Sequence, residues 1–310
     1  MQAHERARVT FRAVVRGVTL HWSEQGVGRP LVILHGLADS QHSWASVAAK
    51  LATKYRVLCL DLPGCGLSER PDATYDIDWQ ARLVLAWLDE LSIEEFDVVG
   101  HSYGGGVALW LLLHRARSIG KMALIAPGGL GLEVTFWLRA AAVFGLFEAT
   151  GQRMIGPITR LLLHRYGGTL TAVDRRMLHT FNRSAGTARA FGRMVRDVIN
   201  WRGQTRQVVQ HLHRLNQLPS MALFWGERDR VIPVSHGEAL SALFENCPFW
   251  RLPGGGHFLH WQAPGVLAAA ILDFLQQSDL GPSRLKRLPT RRRSIWRLSH
   301  VLSSIGVPAR

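Results

Sequence analysis

The sequence contains little cysteine, little lysine and no long apolar run. Its 310 residues include three cysteines, Cys59, Cys65 and Cys247, whose odd number and irregular spacing predict neither a disulfide framework nor a metal site. The first residues lack the apolar core of a signal peptide. No segment approaches the roughly 20 consecutive apolar residues that span a bilayer, and no Gly-rich phosphate-binding loop precedes a helix. We therefore expect a cytoplasmic protein without a metal ion or an organic cofactor.

Basic residues are concentrated in two parts of the chain. Arginine outnumbers lysine by 33 to four. Residues 130–215 carry thirteen arginines, no lysine and four acidic residues, and the residues after Asp279 carry eight basic and no acidic side chains. Because the whole chain has a formal net charge of +14, the remaining residues are slightly acidic. A compositional bias towards arginine explains the residue type but not this location, so a functional meaning stays open.

Apolar, strand-like runs alternate with helical periodicity over the first 129 residues. A hairpin is predicted over residues 8–24, around Gly17. Further strands are predicted near 31–35, 56–61, 96–100 and 121–126, and helices near 43–53, 77–91 and 103–115. This alternation predicts an α/β fold with a doubly wound, mainly parallel sheet and helices on both faces.

The pattern changes after Pro127. Residues 130–215 are helical in periodicity with no convincing strand, and strand-like sequence resumes at Met221, with a further short strand near residues 249–252. The insertion therefore falls between the sixth and seventh strands. The predicted parts are a first core segment (1–129), a helical insertion (130–215), a second core segment (216–279) and a basic tail (280–310).

The pentapeptide GHSYG at residues 100–104 lies between a predicted strand and a predicted helix. A serine at such a junction sits on a sharp, strained turn that projects its hydroxyl out of the fold, and the residues two before and two after it must be small. A bare G-x-S-x-G match is weak, but the strand before it and the helix after it strengthen the signal. Ser102 is therefore the predicted nucleophile.

A nucleophilic serine needs a histidine that takes its proton and a carboxylate that orients the histidine. Asp229 follows the predicted strand that begins at Met221, and His257 follows the strand near residues 249–252. Both would lie in loops at the carboxyl ends of strands, where α/β sheets place their chemistry. The chain order Ser102, Asp229, His257 predicts a catalytic triad.

Other residues near these motifs offer alternative assignments. His35 and His101 flank the predicted site, but each is fixed beside a strand end, and His260 follows an apolar pair and suits a structural role better. Glu227 could replace the predicted acid. Asp39 is expected to shape its loop as a hydrogen-bond acceptor rather than to act in catalysis.

With the motifs LVILHGL (residues 31–37) and DLPGCGLS (residues 61–68), the chain resembles a capped, esterase-like α/β-hydrolase over roughly residues 10–277. The resemblance implies that the helical insertion is a cap. It also implies an oxyanion hole formed by the backbone amides of Leu37 and Tyr103. Haloalkane dehalogenases and epoxide hydrolases of this fold use an aspartate at the nucleophile position, so the serine argues against both activities.

This resemblance favours hydrolysis of carboxylic esters with hydrophobic acyl or aromatic groups through an acyl-enzyme. The candidate substrate-binding residues are large apolar side chains at the start of the cap: Phe136, Trp137, Phe144 and Phe147. The expected partner is therefore a small hydrophobic ester or acyl compound. Cap arginines could meet a carboxylate or phosphate of the substrate.

Two alternative functions stay open. The sequence APGGLG at residues 126–131 and the surroundings of Trp261 resemble meta-cleavage-product hydrolases, which split a carbon–carbon bond. That group usually has a Gly-rich oxyanion loop, where this chain has LAD at residues 37–39, and often has asparagine at the position of His101. The other alternative is a non-catalytic member that binds a ligand beneath its cap.

The basic tail suggests a membrane contact. Ile295, Leu298, Leu302 and Ile305 fall near one face of a helix that also carries Trp296 and follows six basic residues. A short basic amphipathic helix with a tryptophan can lie in an anionic membrane interface, but packing on the protein and disorder are equally open. We expect weak peripheral association with the inner membrane surface. The catalytic motifs give no support to nucleic-acid binding.

Overall fold

The computed structural model describes residues 7–143, 146–167, 169–208, 210–211, 218–278 and 281–285. Its strands are β1 (Val9–Val15), β2 (Val18–Gln25), β3 (Pro30–Leu34), β4 (Arg56–Asp61), β5 (Phe96–His101), β6 (Ile119–Ile125), β7 (Ile199–Asn200), β8 (Gly203–Gln204), β9 (Ser220–Gly226), β10 (Phe244–Glu245), β11 (Phe249–Leu252) and β12 (Arg284–Leu285). Its helices are α1 (Ala45–Leu51), α2 (Ile77–Glu90), α3 (Ser102–Arg115), α4 (Phe136–Val143), α5 (Leu146–Tyr166), α6 (Ala172–Arg183), α7 (Thr187–Val198), α8 (Ser235–Leu243), α9 (Leu259–Gln262) and α10 (Pro264–Gln276).

The main sheet has eight strands in the order β1-β2-β4-β3-β5-β6-β9-β11. β2 pairs antiparallel with β1 and β4, whereas the other neighbours in the sheet are parallel. The opening hairpin turns at Arg16 and Gly17, which both have positive φ, as a two-residue hairpin turn requires. The sheet confirms the predicted α/β fold with a mainly parallel, doubly wound sheet.

Helices cover both faces of the sheet because successive side chains of a strand point to opposite faces. On β3, Val32 and Leu34 pack in a core with α2, α3 and α8, whereas Leu31 and Ile33 pack in a second core with α1 and α10. Strands buried on both faces read as continuous apolar runs, as β3 and β9 do. Because these strands are parallel, the loops at their carboxyl ends meet at one edge of the sheet.

A cap made of α4–α7 and the β7–β8 hairpin is inserted between β6 and β9. The prediction of no strand within residues 130–215 is wrong for this hairpin, because two-residue strands are too short to show an alternating pattern. Arg70 of the core donates to the Phe181 carbonyl at 3.2 Å, and Asp197 of the cap accepts from the Ile77 amide at 2.8 Å. Polar contacts of this kind hold the cap on the core.

Residues 281–285, which belong to the predicted tail, pack against the core. Ser283 is buried, and its hydroxyl accepts from the Met221 amide at 3.0 Å. β12 pairs antiparallel with β10. The amphipathic helix predicted over residues 295–305 lies outside the described residues. Within the part of the chain that the structure describes, no helix is both long enough and apolar enough to cross a membrane.

Candidate active site

Ser102 stands at the junction of β5 and α3 with a φ of 51°, in the left-handed region that a non-glycine residue rarely adopts. The glycines around it allow this turn. A Cβ on Gly104 would lie 2.3 Å from the Leu34 carbonyl oxygen, and one on Gly100 would lie 2.7 Å from the Cα of Gly105. The chain therefore passes so close to itself that only glycine fits at these positions, and the serine side chain is presented at the carboxyl edge of the sheet.

A chain of hydrogen bonds runs from Ser102 through His257 to Asp229. The Ser102 Oγ lies 2.9 Å from His257 Nε2, and His257 Nδ1 lies 2.8 Å from Asp229 Oδ2. The other Asp229 oxygen accepts from the Val231 and Ile232 amides at 2.8 and 3.0 Å, which fixes the carboxylate. Because Nδ1 donates to Asp229, Nε2 keeps a lone pair that can accept the serine proton.

Two of the alternative residues take no part in this chain of hydrogen bonds. Glu227 is exposed to solvent. His35 is fully buried: its Nδ1 donates to the Gly36 carbonyl at 2.8 Å, and its Nε2 accepts from the Leu62 amide at 3.0 Å. Both ring nitrogens of His35 therefore serve the backbone of the neighbouring loops.

His101 and His260 form a buried group behind the site. His101 Nε2 donates to the His257 carbonyl at 2.9 Å, so it supports the backbone of the loop that carries His257. Burial, together with the nearby His260 and His257, holds the pKa of His101 well below its ordinary value. Sequence reasoning assigned no such role to His101, because the contact joins residues 156 positions apart.

His260 Nε2 donates to Asp39 Oδ2 at 3.0 Å, and the His260 ring stacks on Trp44 at 4.4 Å between centres. Burial opposes ionisation of Asp39, but the hydrogen bond and charge of His260 outweigh it and lower the pKa of Asp39. Burial lowers the pKa of His260 despite its carboxylate partner. Asp39, His101 and His260 offer donor atoms within 4.8 Å of one another, as a metal site would require. The hydrogen bonds of the two imidazoles instead join the end of β5 to the His257 loop and α9 to the Asp39 loop.

A narrow cavity lies beside the Ser102 hydroxyl, between the core and the cap. It is lined by Leu37, Ile77, Ser102, Tyr103, Gly106, Gly128, Gly129, Val134, Leu138, Val198, Ile199, Gln204, Arg206, Val231 and Ile232. Its volume is about 40 Å³, well below the roughly 300 Å³ or more of a typical ligand site. The cap therefore has to shift, or its side chains have to rearrange, before a substrate larger than a few water molecules can bind.

The cavity lining is mostly apolar, with Arg206 as its charged residue. Arg206 Nη2 pairs with Asp197 Oδ1 at 2.6 Å. Gln204 accepts from the Gly129 amide at 2.8 Å and donates to the Glu133 carbonyl at 3.1 Å. Nothing in the sequence distinguishes Arg206 from the other twelve cap arginines, so sequence reasoning missed it.

Leu37 and Tyr103, the two residues expected to form an oxyanion hole, both line the cavity beside Ser102. The Tyr103 amide belongs to the first turn of α3, where N–H groups lack partners within the helix. The residue after Leu37, Ala38, has a φ of 54°, and its carbonyl accepts from Asn182 Nδ2 at 2.7 Å. Asn182 is a buried residue of α6, so the cap contacts the loop that presents the Leu37 amide.

The predicted substrate-binding residues Phe136 and Trp137 lie on the outside of the cap, where they are 50% and 78% exposed. Neither lines the cavity; Leu138, the next residue of α4, does. Phe144 and the side chain of Phe147 lie outside the described part of the structure. Helical periodicity alone could not find the inward face of α4, because α4 is apolar on several faces.

A family model described as alpha/beta hydrolase fold matches residues 29–264. The chain belongs to the α/β-hydrolase fold family. An uncharacterised protein of Mycobacterium tuberculosis is 30% identical to this α/β hydrolase over 82% of this chain and 77% of the relative. The 2-hydroxymuconate semialdehyde hydrolase of a Pseudomonas strain is 34% identical over 41% of this chain and 46% of that enzyme. The crystal structure of an α/β hydrolase fold protein from Burkholderia ambifaria matches with a TM-score of 0.72 at 28% identity, over 88% of this chain and 100% of the other.

These comparisons confirm the family that the sequence motifs indicate. They agree with the architecture of this α/β hydrolase, in which the helical insert follows β6. The family provides a common scaffold for many reactions, so the reaction has to be argued from the site.

Proposed function

We propose that this α/β hydrolase is a serine hydrolase that cleaves carboxylic esters of hydrophobic acyl or aromatic substrates. The observation that carries the proposal is the hydrogen-bonded chain from the Ser102 hydroxyl through His257 to Asp229, beside an apolar cavity. A serine hydroxyl is a weak nucleophile by itself and becomes reactive when an adjacent base removes its proton.

In the first half of the reaction, Ser102 Oγ attacks the ester carbonyl carbon while its proton passes to His257 Nε2. Asp229 keeps the imidazole in the required tautomer and stabilises its positive charge. The tetrahedral intermediate then collapses, the C–O bond to the alcohol breaks, and His257 returns the proton to the leaving alkoxide. The acyl group remains on Ser102.

In the second half, water takes the place of the alcohol. His257 Nε2 removes a proton from the water, whose oxygen attacks the acyl carbon. Collapse of this intermediate breaks the bond to Ser102 Oγ, which regains a proton from His257, and releases the acid. The amides of Leu37 and Tyr103 are proposed to donate to the oxyanion in both halves. Removal of one such donor typically costs about 10²–10³-fold in rate.

The cavity lining supports the choice of a hydrophobic substrate. Leu138, Val198, Ile199, Val231 and Ile232 contribute aliphatic side chains to the cavity. Such a lining binds acyl chains or rings through burial of apolar surface, at roughly 25 cal/mol per Å². A strongly hydrated substrate would gain little from this surface.

The second candidate function is hydrolysis of a carbon–carbon bond in a dienoic keto acid. The similarity to 2-hydroxymuconate semialdehyde hydrolase and the presence of Arg206 in the lining favour it, because an acidic substrate needs a cation. However, Arg206 is already paired with Asp197 at 2.6 Å. A substrate carboxylate would have to compete with this carboxylate, so the ester remains the first proposal.

A series of p-nitrophenyl esters from short to long acyl chains tests the proposal. Wild type, Ser102→Ala and Ser118→Ala should be compared, because Ser118 lies in the turn after the far end of α3 and provides a matched serine control. We expect turnover by wild type and Ser118→Ala, and none by Ser102→Ala. A fluorophosphonate should add its mass to the Ser102 peptide of the wild type and of Ser118→Ala, but not to the corresponding peptide of Ser102→Ala.

Three other results would contradict the ester proposal. Turnover of a 2-hydroxy-6-oxo-dienoate without turnover of any ester would replace the ester proposal by carbon–carbon hydrolysis. Fluorophosphonate labelling at a residue other than Ser102 would overturn the assignment of the nucleophile. A folded wild type with neither turnover nor labelling would indicate a non-catalytic, ligand-binding member of the family.

A further inference from the structure

Three large aromatic side chains are exposed together on the outer surface of the cap. Phe136, Trp137 and Trp201 are 50%, 78% and 57% exposed. The ring centre of Phe136 lies 5.7 Å from that of Trp137 and 6.0 Å from that of Trp201. We call these three residues the aromatic platform. Exposed apolar side chains that form a contiguous patch mark a site of interaction with another surface.

The aromatic platform is carried by elements that also form the wall of the cavity. Leu138 of α4 and Ile199 of β7 line the cavity, whereas the platform residues of α4 and of the β7–β8 turn are exposed. A surface bound to the platform therefore contacts two of the elements that enclose the cavity beside Ser102. The same short segments therefore carry the platform on the outside and part of the cavity wall on the inside.

The surroundings of the aromatic platform are basic. The guanidinium carbon of Arg139 lies 6.0 Å from the ring centre of Phe136, and Arg202, next to Trp201 in the β7–β8 turn, is exposed. Residues 130–215 carry thirteen arginines against four acidic residues, and two of these acids already pair with arginines of the same segment. The charge of the cap is therefore complementary to an anionic surface.

Tryptophan and arginine are the side chains expected where a protein meets a lipid headgroup layer. The indole ring is apolar with one polar edge and partitions into the interface, and each basic side chain near an anionic leaflet adds electrostatic attraction. We propose that the aromatic platform, with the Arg202 guanidinium beside it, docks the protein on anionic phospholipid bilayers. This docking does not depend on the proposed esterase chemistry.

Vesicle flotation with the full-length protein tests the docking surface. All variants should be made in the Ser102→Ala background, so that hydrolysis of lipid cannot change the vesicles. The measured binding then does not depend on whether the proposed esterase activity exists. The vesicles are phosphatidylcholine with and without phosphatidylglycerol. Trp137→Ala/Trp201→Ala removes most of the platform, Arg202→Ala removes its charge, and Val266→Ala removes a 60% exposed apolar side chain of α10 as the control.

We expect the parent protein and Val266→Ala to bind vesicles that contain phosphatidylglycerol and to bind phosphatidylcholine alone more weakly. The double tryptophan variant should bind the anionic vesicles at least about tenfold more weakly. Arg202→Ala should weaken binding roughly fivefold and reduce its dependence on salt. Thermal unfolding should give the same midpoint for the variants, because the substituted side chains are exposed.

A chain truncated after Leu285 separates the aromatic platform from the tail and keeps β12 in place. The truncated chain should retain vesicle binding that the double tryptophan substitution abolishes. Loss of all binding on truncation, with normal binding by the full-length double variant, would assign membrane contact to the tail and overturn the proposal. The proposal is also overturned if the parent protein binds neither kind of vesicle.

Discussion

Replacing His101 with glutamine should change the dependence of the protein's stability on pH. His101 is buried beside Ser102 and donates to the His257 carbonyl at 2.9 Å. Burial and two neighbouring histidines hold the pKa of His101 well below its ordinary value of 6.5. Glutamine keeps an amide donor near the position of Nε2 but does not titrate. The variant is therefore expected to retain the hydrogen bond, whereas position 101 no longer contributes to the pH dependence of the stability.

The size of the effect follows from proton binding by the unfolded chain. His101 stays neutral in the folded protein, whereas the unfolded histidine becomes protonated below about pH 6.5, so acid favours unfolding. The contribution of neutral His101 to the stability is fully present above the unfolded pKa. It is lost as the pH falls below that pKa, by about 1.4 kcal/mol per pH unit. Between about pH 7.5 and about pH 5.0 the loss that is due to His101 approaches about 2 kcal/mol.

Urea unfolding at constant ionic strength measures this difference. The free energy of unfolding of the wild type should fall more steeply with acid than that of His101→Gln, so that the wild type loses about 2 kcal/mol more than the variant between the neutral and the acidic end. His164→Gln, on the exposed surface of α5, controls for the removal of a histidine as such. Parallel curves for wild type and His101→Gln would refute the reasoning.

Three further substitutions test the site. Asp229→Asn should lower kcat by about 10⁴-fold, since the amide favours the wrong imidazole tautomer, and an unchanged kcat would remove Asp229 from the mechanism. Gly104→Ala should destabilise the fold by about 3 kcal/mol or more in urea, because its Cβ would meet backbone at 2.3 Å, whereas Gly281→Ala, with open space, should not. Asn182→Ala should lower kcat about tenfold with less change in KM, and the opposite pattern would exclude support of the Leu37 amide.

The sequence predicts the core of this structure well because its signals are local. Strand β5, the glycines at 100 and 104 and the start of α3 all lie within a few residues of Ser102, and each has a steric reason. Asp229 and His257 were predicted from the loops after two apolar strands. In a parallel sheet the loops at the carboxyl ends of the strands meet at one edge. The positions of the strands in the sequence are therefore enough to predict that these distant residues lie close together.

The cap was harder to predict from sequence. The two-residue strands β7 and β8 are too short for an alternating pattern, and α4 is apolar on several faces, so periodicity does not show that Phe136 and Trp137 point outwards. Arg206 is one of thirteen equivalent arginines until the fold places it at the cavity. Such features depend on tertiary contacts that a local sequence window does not contain.

The hydrogen bond from Asn182 to the Ala38 carbonyl ties α6 of the cap to the loop that carries Leu37. If the cap lifts away to admit a substrate, we expect the loop beside Leu37 to lose this restraint while bulk water enters the site. If the proposed hydrolysis takes place at Ser102, we expect this restraint to favour reaction beneath a seated cap. Exchanging the cap for that of a relative would therefore alter the turnover number together with the substrate choice, unless the new cap supplies an equivalent donor to the same carbonyl.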